Sequence, residues 1–251
     1  MFSLQQKCVV ITGASSGIGK QTAIICSRMG ARVALFGRNE ERLSDVLELM
    51  EGEGHRYFSF DITDDNQLEV ALADVFNTMG MVDGFVHSAG IQKILPFKLT
   101  NPEIFNNQFK VNVLAGFESC RIMLRKNYFN PAGSSIVLIS SINGVIGAAG
   151  QVAYSTSKGA VISGAKSLAI ELAPRNIRVN SISPGMVENT QMTKGLINQL
   201  SSEWEVKNKA EYPLGWVSAE DIANSCVFLL SRASQKITGT NIILDGGFSA
   251  R

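Results

Sequence analysis

Short apolar runs alternate with longer amphipathic stretches along the chain, which predicts a repeating strand–helix order. Cys8-Val9-Val10-Ile11-Thr12 is β-branched and stops at a glycine, so it reads as a central strand. Helical spacing follows from Ile18 to Met29, and a second strand, Arg32 to Phe36, closes at Gly37-Arg38-Asn39. Next come a helix over Asn39 to Met50, a strand over Arg56 to Phe60, a helix over Gln67 to Met79 and a strand over Gly84 to His87. Pro102 to Lys126 predicts one long helix, and Ile136 to Ile139 a buried strand. Tyr154 to Ala173 reads as a helix, Ile177 to Ser183 as the sixth strand and Thr240 to Leu244 as the last. Between those last strands, Ser218 followed by Glu220 and Asp221 starts a further helix. The intervening Glu188 to Trp216 is polar, irregular and helical only in patches. A connection of that length predicts a substrate lid over residues 188–216.

Strands that alternate with helices imply a mostly parallel sheet covered on both faces, a doubly wound α/β fold. No linker, repeat or low-complexity tract divides the 251 residues, so one domain over 1–251 is expected. A hydrophobic share of 45% against 18% charged suits a sheet buried on both sides. Net charge is +1 with no basic block, which argues against nucleic acid or an anionic membrane surface as partner. The apolar runs are strand-sized, too short to span a bilayer, and residues 1–7 lead into the first strand without a signal-peptide core. Cys8, Cys26, Cys120 and Cys226 form no metal-spaced or redox pair, so they read as reduced, mostly buried thiols of a cytoplasmic protein without a metal.

Two stretches carry the chemistry. Tyr154 and Lys158 are four apart, which places them on one helix face about 6 Å apart along the axis. A phenol with an ordinary pKa of about 10 exchanges protons poorly near neutrality, and a cation beside it would bring that exchange towards working pH. Ser141, at the end of the Ile136–Ile139 run, could offer a hydroxyl to a carbonyl oxygen that gains charge. The other stretch is Thr12-Gly13-Ala14-Ser15-Ser16-Gly17-Ile18-Gly19. There, strand, glycine turn and helix start follow one another, the arrangement that lets backbone and a helix N-terminus approach a pyrophosphate.

Together these residues resemble the short-chain dehydrogenase/reductase family over essentially the whole chain. The 13-residue separation of Ser141 and Tyr154 equals the family spacing and is more specific than Tyr-x-x-x-Lys alone. The resemblance implies seven strands in the order 3-2-1-4-5-6-7 and hydride exchange between NADP(H) and a carbonyl/alcohol pair. It makes Tyr154 the proton donor, Ser141 the support of the substrate oxygen, and Lys158 the group that lowers the Tyr154 pKa and holds the nicotinamide ribose. It also makes Asn112 the link to a water chain, through its backbone carbonyl. Cofactor contacts are implied at Gly13, Ser15, Ser16, Gly17, Ile18 and Gly19, at Asp61-Ile62, at Ser88-Ala89-Gly90, and at Pro184, Gly185 and Val187, besides Tyr154 and Lys158.

Several positions depart from the family pattern. Gly37 stands where NAD-preferring relatives carry an acid, and Arg38 follows it, which looks like the NADP arrangement. Ser16 replaces the basic residue that many NADP users place in the turn. Asp61 reads either as the adenine contact or as an Asx turn before Thr63. Ser88 replaces an asparagine that braces the sheet, and Asn189 with Thr190 replaces a threonine near the nicotinamide. His87, on a buried strand, reads as a packed histidine, and His55 as loop. Gln151-Val152-Ala153 and Tyr212-Pro213-Leu214-Gly215 look most like 3-oxoacyl-(acyl-carrier-protein) reductases of fatty acid biosynthesis, and are shared with sugar, polyol and steroid dehydrogenases. Small residues on the Tyr154–Ala173 helix suggest, by resemblance, a homotetramer.

Overall fold

The computed structural model describes residues 2–200 and 202–250, so Met1, Arg251 and Ser201 of the expected lid lie outside the described residues. Seven strands form one sheet: β1 (Cys8–Thr12), β2 (Arg32–Gly37), β3 (Arg56–Ser59), β4 (Gly84–His87), β5 (Ser134–Ile139), β6 (Ile177–Pro184) and β7 (Asn241–Leu244). Their order is β3-β2-β1-β4-β5-β6-β7 with every neighbouring pair parallel, as expected. The chain runs outwards in one direction from β1 and in the other from β4. The crevice beyond their C-terminal ends is therefore the switch point at which such sheets bind ligands.

The helices are α1 (Gly17–Arg28), α2 (Glu40–Glu48), α3 (Asp65–Met79), α4 (Pro102–Phe109), α5 (Ala115–Arg125), α6 (Val152–Leu172), α7 (Gln191–Leu200), α8 (Ser202–Ala210) and α9 (Ala219–Leu230). Alternate strand residues feed opposite faces. Val9, Ile11, Val33 and Leu35 pack with Ala23 and Ile25 of α1 and with Ile222, Cys226 and Leu230 of α9. On the other face Val10, Phe36, Phe85 and Ile136 meet Leu72 and Val75 of α3, Met123 of α5 and Val161 of α6. Local chemistry starts the helices. Asn39 caps α2, Asp64 accepts from Asn66 and Gln67 to cap α3, and Ser218 with Asp221 forms a reciprocal capping box on α9.

One expected element differs. The single helix over Pro102 to Lys126 is two α-helices joined by a π-helical turn, Lys110–Leu114. Apolar spacing barely registers the one-residue phase shift of such a turn, so sequence periodicity passes over it. The helical patches expected between Glu188 and Trp216 are α7 and α8. Among the described residues no helix is long and apolar enough to cross a membrane.

Candidate active site

α6 begins at Val152, two residues before the sequence suggests, and carries Tyr154, Ser157 and Lys158 on its buried side. The loop after β5 is held directly against that helix. Ser140 Oγ donates to the Lys158 carbonyl at 2.7 Å, and a Cβ on Gly144 would stand 2.7 Å from the Lys158 carbonyl carbon. Any side chain at 144 would lift the loop away. This close approach is what sets the Ser141 hydroxyl, 13 residues back along the chain, beside the Tyr154 phenol.

Burial dominates the electrostatics. Tyr154 is 6% exposed, and dehydration raises its pKa above the ordinary phenol value, with the Ser141 hydrogen bond pulling the other way. Lys158 is buried as well, and loss of water brings its pKa down to about 8. Its Nζ lies 5.9 Å from the Tyr154 ring centroid and donates to the Ile139 carbonyl at 2.9 Å. Burial therefore outweighs any lowering of the Tyr154 pKa that the Lys158 charge could bring in this arrangement. The ammonium is turned to a backbone acceptor, and both groups have lost the water that would favour their charged forms.

Asn112 sits in the π-helical turn and is fully buried. Its Oδ1 accepts from Ile91 N at 2.8 Å, and its Nδ2 donates to the Ile91 carbonyl and to Ser157 Oγ, both at 3.0 Å. Ser157 in turn donates to the Tyr154 carbonyl at 2.7 Å. Asn112 Oδ1 and Lys158 Nζ each lie 3.4 Å from where a Cβ on Gly90 would stand, so Gly90 leaves the space in which they approach one another. Thus the structure brings Ser141, Tyr154, Lys158 and Asn112 into one cluster.

The glycine turn has the shape a pyrophosphate cradle needs. Gly13 adopts φ +66°, and a Cβ there would stand 2.7 Å from Ala89 N, while a Cβ on Gly19 would run into the Gly13 carbonyl. Turn, Ser88–Ala89 loop and the start of α1 are thus packed backbone to backbone. Ser15 adjoins Gly37, and Ser16 precedes α1 without capping it by its side chain. The first turn, which includes Ile18, carries no acid, leaving a helix start suited to an anion.

At the β2 end, the Arg38 side chain is 73% exposed and reaches Asp61 Oδ2 at 4.0 Å. Asp61 is an Asx turn, its Oδ1 accepting from Thr63 N at 2.9 Å and Thr63 Oγ1 at 2.8 Å. Those bonds, the backbone one first, hold its carboxyl below the usual range. The following Ile62 is buried. Beyond β6, Pro184 ends the strand, Gly185 donates to Leu244 at 2.7 Å, and Val187 bridges Val217. Asn189 takes φ +58°, and the neighbouring Thr190 turns its methyl to within 3.6 Å of a Cβ position on Gly17. Thr190, whose hydroxyl is bonded to Thr193, is therefore the residue that faces the glycine turn. The segment carrying α7 and α8 is anchored at its end, where Tyr212 stacks on Phe248 and Trp216 donates to Asn208.

Two groups of polar residues escaped the sequence reading. Gln151 Oε1 accepts from Gln92 and from Asn143, each at 2.7 Å, which makes an amide cluster beside Ser141. Only the proximity of Asn143 and Gln151 to Ser141 and Tyr154 signals it in sequence. The other group is Thr12 with His87, hydrogen-bonded at 2.9 Å across the switch point. Among positions where the sequence expects function, His87 reads as mere packing.

Comparison with known proteins agrees with this geometry. A family model described as Enoyl-(Acyl carrier protein) reductase matches residues 13–249. The chain is 35% identical over 250 residues to the 3-oxoacyl-(acyl-carrier-protein) reductase FabG of Aquifex aeolicus, covering 98% of each chain. It is also 35% identical to carbonyl reductase family member 4 of Xenopus laevis over 243 residues, 96% of this chain and 97% of that one. The crystal structure of a short-chain dehydrogenase/reductase from Brucella melitensis, named as a glucose/ribitol dehydrogenase, superposes with a TM-score of 0.91 at 29% identity, covering 98% of both chains.

Proposed function

This chain belongs to the short-chain dehydrogenase/reductase family, and on that footing we propose that it moves hydride between NADP(H) and a carbonyl/secondary-alcohol pair. The observation that carries the reading is a dehydrated cluster in which Tyr154, Lys158 and Asn112 are buried beside Ser141. When bound, the nicotinamide supplies or takes up the hydride. In the reducing direction Tyr154 passes its phenolic proton to the substrate oxygen, a transfer favoured by a phenol that burial keeps protonated. Ser141 directs its hydroxyl to the same oxygen as charge collects there. Lys158 turns from the Ile139 carbonyl to the cofactor ribose, and Asn112 ties the site to a water chain that returns the proton. Gly37 and the exposed Arg38 favour NADP(H), since a guanidinium pairs with a 2′-phosphate and position 37 carries no acid to repel it.

A 3-oxoacyl thioester is the substrate class we favour. Exposed Met192, Val206 and Leu214 on the 188–216 segment suit a lid that closes over an acyl chain. The amide cluster of Gln92, Asn143 and Gln151 favours a second reading, a hydroxyl-rich sugar or polyol, since the remaining amide groups can pair with alcohols. A steroid-type alcohol would use the lid alone. We take the chain as one cytoplasmic domain that assembles as a homotetramer. Its small-residue helix contributes less to that than expected, because Gly164 makes room for Phe117 of the same chain, whereas Ser167 and Ile170 stay exposed.

NADPH oxidation with acetoacetyl thioesters beside ketones, sugars, polyols and steroids tests the reading. The highest kcat/KM on the thioester supports it, and a sugar or polyol in first place moves it to the second. Tight NADPH binding with no turnover on any of them would leave a dinucleotide-binding regulator.

A further inference from the structure

Thr12 and His87 are register partners at the C-terminal ends of β1 and β4, where the sheet reverses its direction of growth. The hydrogen bonds around them have a single consistent polarity. His87 Nε2 lies 3.2 Å from the Val111 carbonyl, which can only accept, so Nε2 carries the proton. Nδ1 is then bare and accepts the Thr12 hydroxyl at 2.9 Å. The Thr12 oxygen keeps its lone pairs for Ser88 N at 3.2 Å and Ala89 N at 3.1 Å. Protonating Nδ1 would put three donors on one hydroxyl oxygen. The ring is therefore held neutral, in agreement with burial and the nearby Lys158, which lower its pKa to about 3.

The surroundings are built for this ring. Gly116, inside α5, would place a Cβ 2.7 Å from His87 Cδ2, so the glycine makes the space the imidazole fills. A glycine inside a helix is unfavourable on its own, and here its neighbour supplies the reason. The bond to Val111 lands one residue before Asn112, within the π-helical turn. From there Asn112 reaches Ile91 and Ser157 of α6. Hydrogen bonds on either side of the Val111–Asn112 peptide link thus join the residue preceding Gly13 to the helix that carries Tyr154 and Lys158. Ser88 enters it only by its backbone N–H.

We propose that His87 is a positioning residue that anchors the π-helical turn bearing Asn112 to the glycine turn beginning at Gly13, keeping the proton relay and the cofactor cradle in one register. The kinetic half of this inference rests on the function proposed above, and the spectroscopic half does not. Without the imidazole, Thr12 still accepts from Ser88 and Ala89, so the cradle persists while the π-helical turn loses its anchor.

The test uses the full-length protein with His87→Phe, which keeps an aromatic ring and removes both polar atoms, and His87→Gln, whose amide offers the same donor and acceptor. His87→Phe should lower kcat by about tenfold or more, with the NADPH dissociation constant within about threefold of the parent. His87→Gln should recover kcat to within about threefold. Loss of cofactor affinity in parallel with kcat in both variants, or unchanged kcat in His87→Phe, would overturn the proposal. Should His87→Phe not fold, Gly116→Ala displaces the ring instead. It should lower the melting temperature of the parent and not that of His87→Ala, where the space is open; equal effects in both would count against the packing argument. Nitrogen NMR of the imidazoles, with His87 assigned by its loss in His87→Gln, needs no turnover. A neutral ring protonated on Nε2 from pH 5 to 9 is expected, and an Nδ1–H tautomer or a titration within that range refutes the relay even if the protein proves inactive.

Discussion

Two cations sit at opposite ends of the cofactor groove. Arg38 leaves 73% of its side chain in water and meets Asp61 across 4.0 Å. Lys158 is 4% exposed and spends its charge on the Ile139 carbonyl at 2.9 Å. The exposed pair contributes little to stability, because water screens it and two flexible side chains must be held together. The buried ammonium destabilises the fold, and its pKa of about 8 records that loss of hydration. Similar charges thus serve different ends. On the function proposed above, the outer one would meet a phosphate of the cofactor and the inner one its ribose.

The largest effect that would separate the ends is on turnover at the dry one. Tyr154→Phe keeps the ring packing and removes the proton donor, so kcat should fall by at least about 10²-fold with NADPH affinity retained. Steady-state kinetics beside a fluorescence titration measures both, and near-full activity would reduce Tyr154 to a packing residue.

Next comes the stability of the free chain against pH. Lys158 has a folded pKa of about 8, below its model-compound value of 10.5, so between those pH values the unfolded chain binds more protons. Stability from this group should therefore rise with pH across that window, by up to about 3 kcal/mol, and stay at its minimum below pH 8. Urea unfolding of the parent and of Lys158→Met should show this slope in their difference. A flat difference would mean that Lys158 is better hydrated than its burial indicates.

At the wet end, Arg38→Ala should weaken NADPH binding by about 1.5–3 kcal/mol and leave NADH nearly unchanged. The loss should shrink as salt is raised, since an exposed charge is screened. Equal changes for the two cofactors would remove Arg38 from the phosphate site. The smallest effect belongs to Asp61→Asn, which keeps the acceptor for Thr63 and deletes only the charge facing Arg38. NADPH affinity should improve by less than about 1 kcal/mol, and a marked loss would instead make the carboxylate itself a cofactor contact.

Most strands and helices were legible because burial on both faces leaves long β-branched runs in β1, β5 and β6, and because caps such as Asn39 and Ser218 mark helix starts. The segment over 188–216 was legible as an unusually long, patchily helical connection, but the bounds of α7 and α8 within it were not. Of the site, the Tyr154–Lys158 spacing lies on one helix and follows from helical geometry alone. Ser141 could be joined to it only through a familiar separation along the chain.

The sequence by itself determined the alternation of strands and helices, the glycine turn before α1 and the helical pairing of Tyr154 with Lys158. Each of these depends on local backbone preference or on a period short enough to read within one element. The tertiary structure decided what happens between elements. It turned Lys158 to Ile139, placed Thr190 rather than Asn189 against the glycine turn, broke the Pro102–Lys126 helix at Asn112, and made His87 the link from Thr12 to Val111. Those outcomes depend on dehydration and on partners at least 19 residues apart along the chain, up to 75 for the hydrogen bond from Thr12 to His87, and no local pattern encodes such distances.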